Sequence, residues 1–281
     1  MTADLHVHTT ASDGRVTPDE ILQQATAAGL SHIAITDHDT VDGLLALKDM
    51  PQLASQPEVI PGIEFSTDLA TSEVHILGYF IDIRQPELVR QIKLIADDRR
   101  DRAERIVHKL NTLGYPISYR RVLEIAGEGS SVGRPHLAAA LLEKGYFSNF
   151  NQAFTGLLEK NGPAYIPHYK LSRKDTIDLI VCAGGIPVLA HPGLVGNDSV
   201  VLDTIRLGIR GIEVYHPKHN PAQTEKYRLL ADELGLAITG GSDFHGIAGR
   251  FPMRLGHFTV PAELVDHLKT LALSSTRNSF T

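Results

Sequence analysis

Two histidines near the start of the chain have the spacing of a metal-binding pair. His6 and His8 alternate within the apolar segment Asp4–Thr9, and Asp13 follows shortly after it. Residues two apart in a strand project to the same face, so both imidazoles can reach one cation, while a turn at Gly14 can bring Asp13 to a neighbouring one. The alternative is a pair of partly buried histidines bound by backbone groups, and this segment alone leaves both interpretations open.

Six more short apolar segments carry a potential metal ligand or end at one. They are residues 31–36, 59–63, 73–80, 186–190, 209–214 and 237–239, and the ligands at them are Asp37, His38, Asp39, Glu64, His75, His191, His216, Asp243 and His245. Histidines of a protein core would be scattered over helices and loops, whereas these residues lie mostly where predicted strands end. Their convergence favours a metal site over a set of unrelated core histidines.

The donor types indicate the metal and its chemistry. Imidazole nitrogens and carboxylate oxygens without thiolates suit Mn, Zn or Fe, whereas Ca and Mg prefer shells made of oxygen alone. The candidate ligands outnumber what one ion can accept beside water and substrate, so we expect more than one ion. Clustered cations lower the pKa of a shared water and stabilise charge on a displaced oxygen, which fits phosphate ester hydrolysis.

Composition limits the class of protein. With 281 residues, 42% of them hydrophobic, the chain suffices for one α/β barrel or two ordinary domains. A net charge of -6 argues against a broad surface for long duplex nucleic acid. The only cysteine, Cys182, excludes a disulfide framework and is predicted to be a buried helical thiol. Without a signal peptide or a long apolar run, the expected location is the cytoplasm.

The elements between the apolar segments predict a parallel barrel. Thr17, Pro18 and Glu20 form a helix start, Gly29 a helix stop, and the next strand begins at Ser31. A strand, a helix and a strand within about 30 residues is typical of a right-handed βαβ unit. Later helices are predicted over residues 171–183, 200–207, 221–234 and 261–273, so the unit repeats and predicts an α/β barrel.

The segment from residue 84 to residue 169 interrupts this alternation. Helices are predicted over residues 85–113, 119–126, 135–144 and 150–158, and we interpret the dense charges of the first as a solvated face. The predicted organisation is a first barrel part over residues 1–83, an all-helical cap over the strand ends at residues 84–169, and a second barrel part over residues 170–281.

Together these motifs resemble those of the PHP (polymerase and histidinol phosphatase) family. The motifs are His6-x-His8, Asp37-His38, Glu64, His75, His191-Pro192 and Gly241-Ser242-Asp243-Phe244-His245. The resemblance implies an α/β fold, a distorted (βα)7 barrel with the helical cap inserted, and a site for three divalent metal ions. Mn is the expected metal, with Zn or Fe as alternatives.

The resemblance also implies how the ligands divide. The first ion would take His6, His8, Glu64 and Asp243, the second Glu64, His75 and His191, and the third Asp13, His38 and His245. Some family members have a histidine where Asp13 stands. Catalytic roles fall to Asp243, His191 and His245. Asp37 is interpreted as an outer carboxylate that orients an imidazole.

Residues 131–136 sharpen the resemblance to one branch of the family. The start of a predicted helix, with Arg134 and His136, has the chemistry of an anion-binding site. The alternative interpretation of Arg134 is an exposed surface arginine. With the cap and the segment Gly211–His219, the chain resembles nucleoside 3',5'-bisphosphate phosphatases and 5'-to-3' exoribonucleases. In that branch an arginine and a histidine of the cap hold the 5'-phosphate. The resemblance carries this role to Arg134 and His136, and further to His216, Lys170 and Lys218.

The expected activity is hydrolysis of the 3'-phosphate ester of a nucleoside 3',5'-bisphosphate, such as pAp to AMP, by attack of a metal-bridging hydroxide. Short 5'-phosphorylated oligoribonucleotides are a second substrate class. We expect no long duplex nucleic acid, membrane or obligatory protein partner. The alternatives are a histidinol-phosphate-type phosphomonoesterase, an amidohydrolase, and a non-catalytic module that binds metal or nucleotide.

Overall fold

Eight strands form one sheet in the computed structural model, which describes residues 1–48, 55–68, 73–127, 132–167, 169–249 and 251–278. They are β1 (Thr2–Val7), β2 (His32–Ile35), β3 (Glu58–Asp68), β4 (Glu73–Tyr79), β5 (Ile186–Leu189), β6 (Gly211–Tyr215), β7 (Ala237–Gly240) and β8 (Val260–Pro261). The first seven match the seven apolar segments of the sequence. β8 has no counterpart among them, because two residues are too few to show an alternating pattern.

The sheet curves into a distorted barrel with the strand order β7-β6-β5-β4-β3-β2-β1-β8. β1, β2 and β3 are parallel, as are β5, β6 and β7, whereas β4 is antiparallel to both of its neighbours and β8 to β1. The backbone N–H of His8 donates to the carbonyl of Phe244 at 2.9 Å, which joins β1 to the segment after β7. The α/β barrel class is therefore confirmed, and the reversal of β4 is its distortion.

In the described parts of the chain, a helix follows every strand except β3 and β7, and several helices lie between β4 and β5. The helices are α1 (Pro18–Ala27), α2 (Asp42–Lys48), α3 (Pro86–Thr112), α4 (Tyr119–Ala126), α5 (Arg134–Glu143), α6 (Phe150–Ala153), α7 (Arg173–Cys182), α8 (Asp198–Arg206), α9 (Pro221–Leu234) and α10 (Glu263–Asn278). The start of α1 is as predicted, since the Glu20 carboxylate accepts the Thr17 N–H at 3.0 Å. α2 was not predicted, and the predicted helix over residues 150–158 is α6 followed by a π-helical turn, Phe154–Leu158.

The chain forms two units, Met1–Arg90 with Lys170–Thr281 and Gln91–Tyr169, and the division falls within α3. The first unit contains the barrel, whose core includes the fully buried Leu5, Ile60 and Val188. The second unit is helical and has its own core, built around Leu110, Val122 and Leu141. Each unit therefore buries enough apolar surface to hold its own elements together.

The prediction for Cys182 is wrong, because its side chain is exposed. Ile177 and Ile180 form the buried face of α7, and Cys182 lies about 200° around the helix from Ile180 at 100° per residue. The Cys182 sulfur accepts a hydrogen bond from Nε2 of Gln85 at 3.1 Å. Among the described helices, none combines the length and apolarity required to cross a bilayer.

Candidate metal centre

The nine candidate metal ligands lie at one rim of the barrel. Parallel strands present their carboxyl ends at the same edge, so residues at the ends of β1, β2, β3, β5 and β7 meet there. His75 lies near the start of β4 instead, with its Cα opposite that of Ser66 in β3. Because β4 runs antiparallel to β3, its beginning lies at the rim where the other strands end. The reversal of this one strand therefore places His75 among the other ligands.

The carboxylate of Glu64 lies at the centre of this cluster and is fully buried. Five imidazoles surround it, with nitrogen-to-oxygen distances of 3.2 Å for His6, 3.2 Å for His8, 3.1 Å for His38, 2.8 Å for His75 and 3.0 Å for His191. The nitrogens of His38 and His191 reach it from the segments after β2 and β5, and that of His75 from near the start of β4. Both oxygens are used, since His75 and His191 face Oε1 while the other three face Oε2.

Two further carboxylates extend the cluster on the side of β1 and β7. Oδ1 of Asp243 lies 3.4 Å from His8 Nε2 and 3.4 Å from His245 Nδ1. Oδ1 of Asp13 lies 3.2 Å from His245 Nε2 and 3.9 Å from His8 Nδ1. The turn after β1 thus returns Asp13 to the rim that His8 occupies.

The geometry of these donors fits bound cations. Three groups have donor atoms within 4.8 Å of one another: His8, Asp13, His38 and His245; His6, His8 and Glu64; and His38, Glu64 and His75. In the described part of the chain, His8 Nδ1, His38 Nδ1 and Asp13 Oδ1 are buried without a hydrogen-bond partner. Buried polar atoms seldom lack partners unless a ligand or ion satisfies them, so the cluster suits divalent metal ions.

Two of these residues have strained backbones. His191 has φ 27° and Asp243 has φ 50°, values that residues with a side chain rarely adopt. The His191 N–H donates to Oε2 of Glu213 at 2.7 Å, which helps to hold this conformation. Strain of this kind is typical of sites whose geometry serves chemistry rather than stability.

Glu213 forms hydrogen bonds to two residues of the cluster, His6 and His191. No sequence motif indicated it as a ligand. Its Oε1 lies 2.9 Å from Nδ1 of His6, so the second nitrogen of that ring points toward Glu64 and His8. Glu213 is fully buried in the middle of β6. The available signal was a lone carboxylate within an otherwise apolar strand, which requires a buried partner.

Asp37 forms no hydrogen bond with an imidazole of the described residues, so the prediction that it orients one is wrong. Its carboxylate accepts hydrogen bonds from the Thr9 N–H at 2.7 Å, the Thr9 hydroxyl at 2.7 Å and the Ser12 hydroxyl at 2.6 Å. Asp37 therefore fixes the turn that carries Asp13. A short sequence motif cannot distinguish these roles, because both place a buried carboxylate beside the ligands.

Burial and the neighbouring carboxylates shift the pKa values of the clustered histidines in opposite directions. Burial disfavours charge on His75, yet the Glu64 and Glu73 carboxylates raise its imidazole pKa to about 10. Burial likewise opposes charge on His8, but Asp243 and Glu64 raise its pKa to about 9. For His38 burial prevails and lowers the pKa to about 4. Without bound cations, His8 and His75 are therefore protonated at neutral pH, whereas His38 is neutral.

Three of the predicted substrate-binding residues belong to the barrel unit. His216 Nε2 lies 3.6 Å and Lys218 Nζ 3.7 Å from Oδ2 of Asp243. Lys170 forms an ion pair with Glu73 at 2.5 Å, and Glu73 lies 3.9 Å from Nε2 of His75. His216 and Lys218 thus lie at the cluster, and Lys170 is linked to it through Glu73.

The other two, Arg134 and His136, belong to the helical unit and begin α5. Nη1 of Arg134 donates to the Leu158 carbonyl at 3.3 Å, and its guanidinium lies over the Phe154 ring at 5.0 Å. Nδ1 of His136 accepts the Gly133 N–H at 3.0 Å, which leaves the ring proton on Nε2. Arg134 and His136 therefore place a guanidinium and an imidazole at the start of α5. Ser131 of the predicted motif lies outside the described residues.

Comparison with characterised proteins agrees with the chemistry of the cluster. Residues 4–157 match the PHP domain model. Phosphoribosyl 1,2-cyclic phosphate 1,2-diphosphodiesterase of Eggerthella lenta is 34% identical over 93% of this chain and 100% of its own length. The 3',5'-nucleoside bisphosphate phosphatase of Chromobacterium violaceum is 33% identical over 88% and 89% of the two chains. The 5'-3' exoribonuclease Rnm of Escherichia coli is 32% identical over 86% and 84%.

A solved structure shares the same fold. It is a protein of Bifidobacterium adolescentis assigned to the metal-dependent phosphoesterases, with a TM-score of 0.82 and 30% identity over 95% of this chain and 94% of that one. The similarity extends over both units, and the named relatives act on phosphate esters. The chain therefore belongs to the PHP family and is a metal-dependent phosphoric ester hydrolase.

Proposed function

We propose that the protein removes the 3'-phosphate of nucleoside 3',5'-bisphosphates, converting pAp to AMP. The observation that carries the proposal is the presence of two separate kinds of anion-binding chemistry, a cluster of metal-type donors in one unit and an arginine with a histidine at a helix start in the other. A substrate with two phosphates can use both. The bisphosphate phosphatase of Chromobacterium violaceum supports this choice among the relatives.

The nine clustered residues would hold three divalent ions, with Mn preferred. His6, His8, Glu64 and Asp243 would bind the first, Glu64, His75 and His191 the second, and Asp13, His38 and His245 the third. Bound ions would supply positive charge that lowers the pKa of water and stabilises a phosphoryl group during displacement. Asp243, His191 and His245, which lie in the loops after β5 and β7, would have the catalytic roles.

His216 and Lys218 would bind the oxygens of the reacting phosphate. Nδ1 of His216 accepts a hydrogen bond from the backbone N–H of Lys218 at 3.2 Å. The ring proton of His216 therefore lies on Nε2, the atom that faces Asp243. Nε2 is buried and has no hydrogen-bond partner among the described residues. An N–H in this position can donate to a phosphate oxygen, and the Lys218 ammonium adds positive charge beside it. Lys170, which pairs with Glu73 at the start of β4, would contribute further positive charge.

Arg134 and His136 would bind the 5'-phosphate, and residues 84–169 would act as the substrate-binding cap of a barrel made of residues 1–83 and 170–281. Guanidinium and imidazole N–H donors at the start of a helix suit a phosphate group. Short 5'-phosphorylated RNA is a second candidate substrate, favoured by the exoribonuclease of Escherichia coli. It presents the same 5'-phosphate followed by a 3'-phosphate ester.

The test is phosphate or nucleotide release from four substrates in the presence of Mn or Zn: pAp, 5'-phosphorylated short RNA, phosphoribosyl 1,2-cyclic phosphate and histidinol phosphate. We expect the highest kcat/KM on pAp. Arg134→Met should lower kcat/KM on pAp by about 10- to 100-fold, since a hydrogen bond to a charged group is lost. Arg120→Met is the matched control, because Arg120 is exposed on α4 and pairs with Glu124.

Turnover confined to histidinol phosphate or to the cyclic phosphate would contradict the proposal. Equal loss in the Arg134 and Arg120 variants would remove the role assigned to Arg134.

A further inference from the structure

The turn that follows β5 begins at His191, one of the candidate metal ligands. It is a single 3-10 turn, Pro192–Leu194, in which the Leu194 N–H donates to the His191 carbonyl at 2.9 Å. A local hydrogen bond of this kind does not determine the backbone of His191 itself, which has φ 27° and ψ 61°. Residues with a side chain rarely adopt such a conformation, so the surrounding structure must hold it.

His219 and Gln223 bind both backbone groups of Gly193, in the middle of this turn. Nε2 of His219 accepts the Gly193 N–H at 3.1 Å, and Nε2 of Gln223 donates to the Gly193 carbonyl at 3.3 Å. The first N–H groups of a helical turn have no partner within it, so His219 satisfies a donor that the turn leaves open. Gln223 lies in the first turn of α9, and His219 precedes that helix.

The fit between His219 and Gly193 leaves no room for a side chain on Gly193. A Cβ atom there would lie 2.6 Å from Cδ2 of His219 and 2.9 Å from Nε2 of Gln223, both closer than nonbonded contacts allow. The imidazole therefore packs directly on the backbone of the turn. The His219 ring also neighbours the ring of His216, with 5.3 Å between centroids, and that of the buried Tyr227, with 5.4 Å.

The hydrogen bonds of His219 define which ring nitrogen carries the proton. Nδ1 lies 2.9 Å from the Val214 carbonyl, which can only accept, so Nδ1 is protonated. Nε2 faces the Gly193 N–H, which can only donate, so Nε2 is not. His219 is therefore neutral, and burial also lowers its pKa. Because backbone groups occupy both ring nitrogens, His219 contributes through the turn it binds rather than by contacting metal or substrate.

We propose that His219 is a positioning residue for His191, because it ties β6 to the Gly193 amide and so fixes the direction from which His191 meets the cluster. Glu213 of the same strand holds the N–H of His191 itself. The turn is thus held at two amides, one at the ligand and one two residues beyond it. The role of His191 as a ligand of the second ion rests on the proposed function, whereas the contacts of His219 are independent of it.

Two substitutions separate the contacts of His219. The amide of asparagine can replace Nδ1 as a donor to Val214 but is too short to reach Gly193, whereas the carbonyl oxygen of glutamine can replace Nε2 as the acceptor. We expect His219→Asn to weaken Mn binding about 10- to 100-fold, the usual effect of losing an outer contact of a metal ligand. His219→Gln should bind Mn more tightly than His219→Asn, because it restores the contact to Gly193.

The measurement is the amount of Mn bound per chain of the full-length protein, by equilibrium dialysis over a range of free Mn concentrations. His191 is assigned to one of three ions, so His219→Asn should lose about one ion per chain near the free Mn concentration that saturates the wild type. His191→Ala removes the imidazole itself and sets the largest loss expected for that ion.

A control and a second variant accompany this measurement. His267 is exposed on α10, so His267→Asn should change Mn affinity by less than about twofold. Gln223→Glu keeps the oxygen that accepts the Asn220 N–H at the start of α9, but it replaces the donor to Gly193 with an oxygen that repels the carbonyl. Gln223→Glu should therefore weaken Mn binding, as His219→Asn does.

Thermal melts separate positioning from a purely structural role. Mn should raise the melting temperature of the wild type and of His219→Gln by more than that of His219→Asn. A purely structural role would lower the metal-free melting temperature and leave this rise unchanged. Wild-type Mn affinity in His219→Asn, or equal losses in both His219 variants, would overturn the inference. If His219→Asn does not fold, Gln223→Glu decides the question by the same two measurements.

The inference and the proposed function fail separately. If His219→Asn and Gln223→Glu lose Mn but wild-type protein does not hydrolyse pAp, the positioning role stands and the proposed substrate is wrong. If pAp is hydrolysed and His191→Ala loses Mn, but His219→Asn and Gln223→Glu bind Mn like wild type, the positioning role is wrong and the proposed function stands.

Discussion

Nδ1 of His6 lies 2.9 Å from Oε1 of Glu213, and both side chains are fully buried. The same carboxylate accepts the backbone N–H of His191 through its other oxygen. One residue of β6 therefore orients His6 of β1 and the backbone at His191 after β5, both of them candidate metal ligands. Because Glu213 uses both oxygens for this purpose, we expect it to position the candidate ligands rather than to contact substrate.

Replacing Glu213 should weaken metal binding without unfolding the protein. Glu213→Gln preserves shape but removes the charge and one of the two acceptors, so we expect metal affinity to fall about 10- to 100-fold. The measurement is metal content after dialysis against a weak chelator, with melting temperature recorded in parallel. Glu225→Gln is the control, because Glu225 is exposed on α9 and pairs with Arg228. Full metal retention by Glu213→Gln would argue against a positioning role.

Metal binding should release protons, and its affinity should rise with pH. The metal-free protein holds His8 with a pKa of about 9 and His75 with a pKa of about 10, both above neutrality, whereas a metal requires neutral imidazole. Binding at pH 7 must therefore displace protons, and the apparent affinity should increase as the pH is raised from 7 toward 9. Calorimetry in buffers of different ionisation enthalpy measures the number released. A buffer-independent heat would show that these imidazoles are already neutral.

A methyl group at Gly43 should disrupt the turn that carries Asp13. A Cβ atom there would overlap Oδ2 of Asp37 and lie 2.9 Å from the Thr9 hydroxyl oxygen. Displacing Asp37 leaves buried donors of Thr9 and Ser12 unpaired, so Gly43→Ala should destabilise the fold by about 1–3 kcal/mol per lost partner. Denaturant unfolding measures the change. Gly156→Ala is the control, since a Cβ at that position meets no atom within 4 Å, and an equal loss there would refute the explanation.

Asp4 should make stability depend on pH in the mildly acidic range. Its carboxylate accepts the Ser242 N–H at 2.8 Å, but burial raises its pKa from 3.8 to about 6. A raised acid pKa favours the protonated form in the folded state, so this contribution to stability is complete below about pH 4 and is lost as pH rises through 6. Relative to wild type, Asp4→Asn should gain up to about 3 kcal/mol between pH 4 and pH 7.

Urea unfolding of both proteins across this pH range, in the presence of a chelator, measures that difference. The chelator is needed because cations bound beside His6 would favour the ionised carboxylate. A stability difference that does not vary between pH 4 and pH 7 would show that Asp4 keeps an ordinary pKa in the folded protein.

Much of the barrel was predictable because its signals are local. Apolar segments bounded by turns indicate strands, and the capping residues Thr17 and Glu20 indicate the start of α1, whatever the rest of the chain does. The exposed position of Cys182 and the short α2 were not predictable in the same way. The exposure of Cys182 depends on which face of α7 packs against the barrel. The seven residues of α2 are too few to show a helical hydrophobic period.

The sequence by itself determined the donor types, their spacing and the strands that carry them, since these depend on residue identity and local periodicity. Only the tertiary structure decided that β4 runs antiparallel and brings His75 to the rim, that Asp37 holds a turn while Glu213 holds His6, and that His219 binds the turn after His191. The physical reason is that strand direction, hydrogen-bond partners and burial are properties of residues far apart in the chain. They arise only when the whole sheet and the helical core assemble.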